Sequence, residues 1–253
     1  MKVLAIMLSM CAVIAAFAVR PTMAQQPSEW AGSVAFEDWS QYRDLFVRAD
    51  GRVVDDANGN ISHSEGQGYG LILAYSAGDR AAFDRILAFT FQELLIRDDG
   101  LAAWKWNADT TPHITDINNA SDGDILIAYA LGMAAETWGD ESYGKAARAL
   151  AESIGKNLLK KEGEWTILLP ALAGFTGLDR TDRLTVVNLS YWIFESLPVM
   201  AELAPGYPWQ ELAQSGADLL QKARFGPAQL PPEWLAIDGT NLKPAEGFPR
   251  VYG

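Results

Sequence analysis

The sequence predicts an all-α protein built as an α/α toroid, one ring of helices wrapped by another. Two observations carry this. Apolar-all-round helical stretches alternate with amphipathic ones, and strand signals are sparse. A helix that touches neighbours on every side is apolar throughout, whereas one that meets solvent keeps a polar stripe. An ordinary helical bundle would show that stripe on most of its helices. At 253 residues, 49% hydrophobic and 21% charged, the chain has globular composition and suits one large domain or two small ones.

The first residues stand outside that fold. Lys2 gives a positive start, residues 3–19 are almost unbrokenly apolar, and Thr22-Met23-Ala24 places small residues where a signal peptidase reads them. We expect residues 1–24 to be a signal peptide cleaved after Ala24, with residues 25–253 the domain and the product secreted or periplasmic. The alternative is a membrane anchor, but the run is at the short limit for a span and ends in a cleavage-like site. Apolar residues then recur at helical spacing through Val34, Phe36, Trp39, Tyr42 and Phe46, followed by turn chemistry at Asp50-Gly51-Arg52 and residues 55–60. Leu71–Ala77 is apolar all round, Ala81–Ile96 amphipathic, Ile125–Trp138 apolar and Ser142–Leu159 amphipathic. Val186–Leu203 is again apolar, interrupted by Pro198, and Pro208–Phe225 is amphipathic. Trp165–Leu169 reads as a short strand or extended loop, and residues 226–253, rich in Pro and Gly, read as loop.

Composition excludes several function classes. The net charge is −12, and Lys160-Lys161 is the longest basic run, so no nucleic-acid footprint is present. Loss of the leader would remove Cys11, the single cysteine, and with it any thiolate metal site. His63 and His113 are too few for a histidine-based zinc site without carboxylate help, and no cofactor or metal is expected. Nine Trp, eight Tyr and ten Phe are enough to line a sugar cleft as well as a core.

Two motifs open apolar helices. In Ser64-Glu65-Gly66-Gln67-Gly68-Tyr69-Gly70, Ser64 and Gln67 fit a capping box. Glu65 then lies in the first turn, where it complements the helix dipole or does chemistry. Three glycines in one turn cost about 1 kcal/mol each relative to alanine, so something must approach this backbone closely. They do not match the dinucleotide fingerprint, and no strand is predicted before them. In Ala120-Ser121-Asp122-Gly123-Asp124, Ser121 and Asp124 again fit a capping box. Asp122 and Asp124, two apart on a helix, point to nearly opposite sides, and Asp122 at the mouth is the better functional candidate. Trp104-Lys105-Trp106 lies in a loop ahead of this helix, and either ring could stack on a sugar or pack in the core. Two acidic N-termini at one end of the ring give a carboxylate pair, which glycoside hydrolysis requires: one acid for the leaving oxygen, one base for water.

At these residues the chain resembles glycoside hydrolase family 8. The stretch Ala120–Asp124, followed by Ile127, Ala128, Ala134 and Trp138, is similar to the family signature, and Ser64–Gly70 to its acid motif. Asp116, Asn119, Gly51–Asp55 and Asn188-Leu189-Ser190-Tyr191 fit in order. The resemblance is strongest to periplasmic bacterial cellulases. It implies an (α/α)6 barrel and an inverting endo-β-1,4-glucanase, with Glu65 as proton donor. Asp122 is implied as the second carboxylate, either nucleophile or ligand of the distorted sugar at the cleavage point. Trp104, Tyr69, Tyr191 and Asp124 are implied to bind substrate. The implied partners are cellulose or related β-glucan and the bacterial cellulose-synthesis machinery. Chitosan, xylan or mixed-linkage glucan are the alternative substrates, and a non-catalytic glycan-binding relic is the alternative class. The family's water-activating aspartate sits in a Tyr-Asp-Ala-x-Arg segment. This chain reaches Phe248-Pro249-Arg250-Val251-Tyr252-Gly253 about where that segment would begin, so the C-terminal helices of the ring are expected to be missing.

Overall fold

A computed structural model describes residues 30–248. The expected leader and its cleavage site lie outside the described residues. Seven α-helices carry the architecture: α1 (Phe36–Phe46), α2 (Ser64–Ser76), α3 (Arg80–Phe89), α4 (Ser121–Trp138), α5 (Glu141–Leu158), α6 (Leu197–Leu203) and α7 (Trp209–Lys222). Helices α2 and α4 pack against each other, α3 backs α2, α5 backs α4, and α7 backs α6. This is the inner-and-outer arrangement of an α/α toroid, present among the described residues as three inner–outer pairs preceded by α1.

Burial explains the division. From Ser121 to Leu131 every residue of α4 is buried, because the helix has neighbours all round. Its outer partner α5 buries Tyr143, Ala147, Leu150, Ala151, Ile154 and Leu158 and leaves the rest of its surface to solvent. Helix α4 ends on Gly139 in the left-handed conformation. Helix α3 continues into a π-helical turn, Thr90–Leu94. No helix among the described residues is long and apolar enough to cross a membrane.

The two inner N-termini meet at glycines. A Cβ on Gly68 would lie 2.5 Å from Leu126 Cβ. One on Gly123 would lie 2.7 Å from the Glu65 backbone nitrogen and strike the Ser64 side chain. The close approach inferred from the glycine-rich turn is thus that of α4.

Seven short strands complete the described chain: β1 (Ser62–His63), β2 (Lys105–Trp106), β3 (Leu159–Glu162), β4 (Trp165–Leu168), β5 (Thr185–Asn188), β6 (Trp234–Asp238) and β7 (Asn241–Pro244). All pair antiparallel: β1 with β2, β3 with β4, and β5-β6-β7 as one sheet. The strand suggested at Trp165–Leu169 is present as β4. Two expectations are corrected. Val186–Leu203 is no single helix. Thr185-Val186-Val187 is β-branched and pairs with β6. The Asn188 side chain then takes the Ser190 amide and ends the strand in a 3₁₀ turn, Leu189–Tyr191. Pro198 begins α6 rather than interrupting it, as suits a residue with no amide proton to lose. Likewise residues 226–253 are not all loop: Trp234 to Pro244 folds into the β6–β7 hairpin, with Leu235, Ala236 and Ile237 buried.

Gly123→Ala should therefore lower stability by about 1–3 kcal/mol, because the atoms it meets include main chain that cannot swing aside. Gly206→Ala, with nothing within 4 Å of the added carbon, should melt as the wild type does. Calorimetry of both variants checks this, with a drop of roughly 5 °C expected for the first.

Candidate active site

The candidate residues gather where α2 and α4 begin. Glu65 occupies the second position of α2, with its side chain 42% exposed. Asp122 occupies the second position of α4 and is buried. Both line a cavity of about 640 Å³, together with His63, Trp104, Lys105 and Tyr191. A larger cavity of about 930 Å³ lies between α4, α5 and α6, lined by Glu136, Lys145 and Glu202 and by neither motif. The smaller one is lined by residues of both motifs.

Neither expected capping box forms. His63, extended at φ −131°, is the N-cap of α2, and its Nδ1 accepts the Gly66 amide at 3.0 Å. Ala120 precedes α4 without any side-chain cap. The hydroxyls of Ser64 and Ser121 are buried without a hydrogen-bond partner. Gln67 instead takes the Val53 amide at 2.6 Å and donates to Gly51 O, Ile86 O and Thr90 Oγ1. Two inner helices pressed together leave no room for a serine side chain to fold back over the helix end.

Asp124 is also corrected. Expected to bind substrate, it is fully buried, and its carboxylate oxygens accept the Ala102 amide at 2.7 Å and Asn119 Nδ2 at 2.9 Å. Asn119 in turn takes the Leu172 amide at 2.7 Å. Asp124 therefore ties two loops to the start of α4 and does not reach the cavity. The helical geometry that separates positions two apart sends Asp122 to the cleft and Asp124 to the interior.

The aromatic candidates divide. Trp104 lies on the cavity wall, its Nε1 donating to Asp116 at 2.8 Å and its ring under Lys105 Nζ at 5.3 Å. Tyr191 also lines the cavity, held edge-on by Trp234 at 6.0 Å between ring centroids. Burial, then the Asp122 and Glu65 charges, push the Tyr191 hydroxyl well above its ordinary value. Tyr69 is 47% exposed and is not among the cavity-lining side chains. Its hydroxyl is raised by partial burial and by the same two carboxylates. Sequence reasoning passed over His63 and Asp55, which also line the cavity. Their signal was the adjacency of His63 to Glu65.

Burial pushes the Asp122 carboxyl from 3.8 up to about 7, the Glu65 charge adding to it and the Gly123 amide opposing. Burial likewise raises Asp124 to about 7 against its two N–H donors. A cleft with a part-exposed carboxyl beside one that resists ionisation can hold a proton for a leaving group and hydrogen-bond a polyol.

The model of the family described as Glycosyl hydrolases family 8 matches residues 2–248. The chain is 37% identical over 218 residues to a probable endoglucanase of Novacetimonas hansenii, covering 85% of this chain and 63% of that protein. It is 37% identical over 227 residues to an endoglucanase of Cellulomonas uda, covering 89% and 61%. The solved endo-beta-1,4-glucanase of Acetobacter xylinum superposes with a TM-score of 0.80 at 36% identity, covering 87% of this chain and 68% of that one. The chain thus spans somewhat less than two thirds of the two curated relatives.

The raised Asp122 carboxyl has a defined stability signature. Its proton is held more tightly in the folded state than in the unfolded one. The resulting stabilisation is complete below the ordinary carboxylate value and is lost as pH rises toward about 7. Asp122→Asn, which cannot ionise, should therefore melt higher than wild type at pH 8, by on the order of 1–3 kcal/mol, with the gap closing toward pH 4. Thermal melts of both proteins across this pH range decide this.

Proposed function

The chain belongs to the glycosyl hydrolases of family 8, and from that premise we propose that the protein hydrolyses internal β-1,4-glucosidic bonds of cellulose or a related β-glucan with inversion. The observation that carries this reading is the placement of Glu65 and Asp122 at the neighbouring N-termini of α2 and α4, in a cavity that Trp104 and Tyr191 also line. That these relatives are endoglucanases by name supports the same substrate class.

In this reading the protonated Glu65 gives its proton to the glycosidic oxygen as the C–O bond breaks. Water adds to the anomeric carbon from the opposite face and surrenders a proton to a base. Burial that favours the protonated Asp122 carboxyl lets it donate a hydrogen bond to a sugar hydroxyl. That favours Asp122 as the grip on the sugar at the cleavage point over the residue that activates water. Trp104 and Tyr191 offer faces for sugar rings along the cavity. Export through the leader, and work beside bacterial cellulose synthesis, belong to the same proposal. Chitosan is the second substrate to test, because the net charge of −12 would attract a cationic polymer.

Glu65→Gln keeps the shape and removes the proton, so turnover of carboxymethylcellulose should fall on the order of 10²–10⁴-fold with folding and oligosaccharide binding intact. Near-normal turnover would refute the assignment. Proton NMR at early times should show the α-anomer appearing first from a β-linked glucan, and the β-anomer first would mean retention. Comparing reducing ends released from cellulose, chitosan, xylan and mixed-linkage glucan ranks the substrates. Mass spectrometry of protein exported by a bacterial host should find Gln25 as the first residue, and an intact Met1 in the membrane fraction would contradict export.

A further inference from the structure

We propose that His63 is a positioning residue for Glu65: Asp55 and the Gly66 amide together lock it as the Nε2–H tautomer, so that a lone pair, and no N–H, faces the acid. This rests on the reading of Glu65 as proton donor, and its central test does not depend on turnover.

The lock follows from hydrogen-bond roles. His63 Nδ1 accepts the Gly66 amide at 3.0 Å, so Nδ1 carries no proton. The neutral ring then has its one proton on Nε2, which stands 3.2 Å from Asp55 Oδ2. Asp55 is itself held in place. Its Oδ1 accepts the amides of Ala57 at 3.1 Å and Asn58 at 3.2 Å, and its Oδ2 accepts Asn58 Nδ2 at 2.6 Å. These bonds hold the Asp55 carboxyl below the usual carboxylate range, the Asn58 amide first and the His63 ring after it, so it stays an acceptor. Gly66 leaves room for the ring, since even a Cβ there would sit 3.3 Å from it.

The consequence falls on Glu65, whose Oε2 lies 3.8 Å from Nδ1. An N–H at that place would hydrogen-bond the ionised carboxylate and draw the acid away from its protonated form. A lone pair already engaged with a backbone amide gives the carboxylate nothing. The other groups facing His63 do not set the tautomer. Asp56 and Tyr42 line the hollow on one side of the ring, and Lys105 stands opposite on β2, while Asp122 and Tyr191 lie across the cleft.

Within these 253 residues histidine occurs at 63 and 113, so imidazole ¹⁵N spectra of this chain and of its His63→Asn and His113→Gln variants assign both rings. At neutral pH we expect His63 protonated at Nε2 and bare at Nδ1, and Asp55→Ala to mix the tautomers. His63→Asn retains an acceptor for the Gly66 amide and the fold. It should nevertheless lower kcat about ten-fold on soluble β-glucan with KM within about two-fold, and move the alkaline limb of the rate profile to lower pH. An Nδ1–H tautomer in the wild type would overturn the proposal. So would a His63→Asn variant with wild-type kcat and pH profile, which would leave His63 as a helix cap alone. If the wild type shows the locked tautomer yet cleaves none of the β-glycans, the lock stands and the glycosidase reading falls.

Discussion

The cleft exists because α2 and α4 approach closely near their N-termini, with glycine at the points of contact. Gly68 faces Leu126, and Gly123 faces the Ser64 side chain and the Glu65 amide nitrogen, each too close for a Cβ. That contact sets Glu65 and Asp122 on neighbouring helix ends, a placement that no single helix could provide. It also explains the two buried hydroxyls without partners, Ser64 and Ser121. A buried unpaired hydroxyl costs about 1–3 kcal/mol. The burial of two helices along their length outweighs it, at about 25 cal/mol per Å² of apolar surface.

The polar residues that alternate with the functional ones brace this contact. Gln67, two positions after Glu65, binds main chain from the turn before α2 and from α3. Asp124, two positions after Asp122, binds Ala102 and Asn119, and through Asn119 reaches Leu172. Each motif thus sends one side chain to the cleft and one to the scaffold. A fully satisfied buried network of this kind fixes geometry, while burial keeps both aspartates hard to ionise.

The alternation of apolar and amphipathic helices was legible because a helix's burial is written in its own residues at a period of 3.6. So were the positions of Glu65 and Asp122 in first helical turns, and the division of Asp122 from Asp124. What misled was competition for the same atoms. Ser64 with Gln67, and Ser121 with Asp124, have the spacing of caps, but Gln67 and Asp124 found partners 14 to 23 residues away. Thr185-Val186-Val187 resembled a buried helix until β6, some fifty residues later, offered it a hydrogen-bonding edge.

The sequence by itself determined the helical rings, the two acidic helix starts and the family, because each is carried by residues near one another along the chain. Only the tertiary structure decided the cap of α2, the bracing role of Asp124, the β5-β6-β7 sheet and the alignment of Asp55, His63 and Glu65. Those depend on which groups meet across the fold, where a hydrogen bond goes to the nearest geometrically competent partner whatever its distance in sequence.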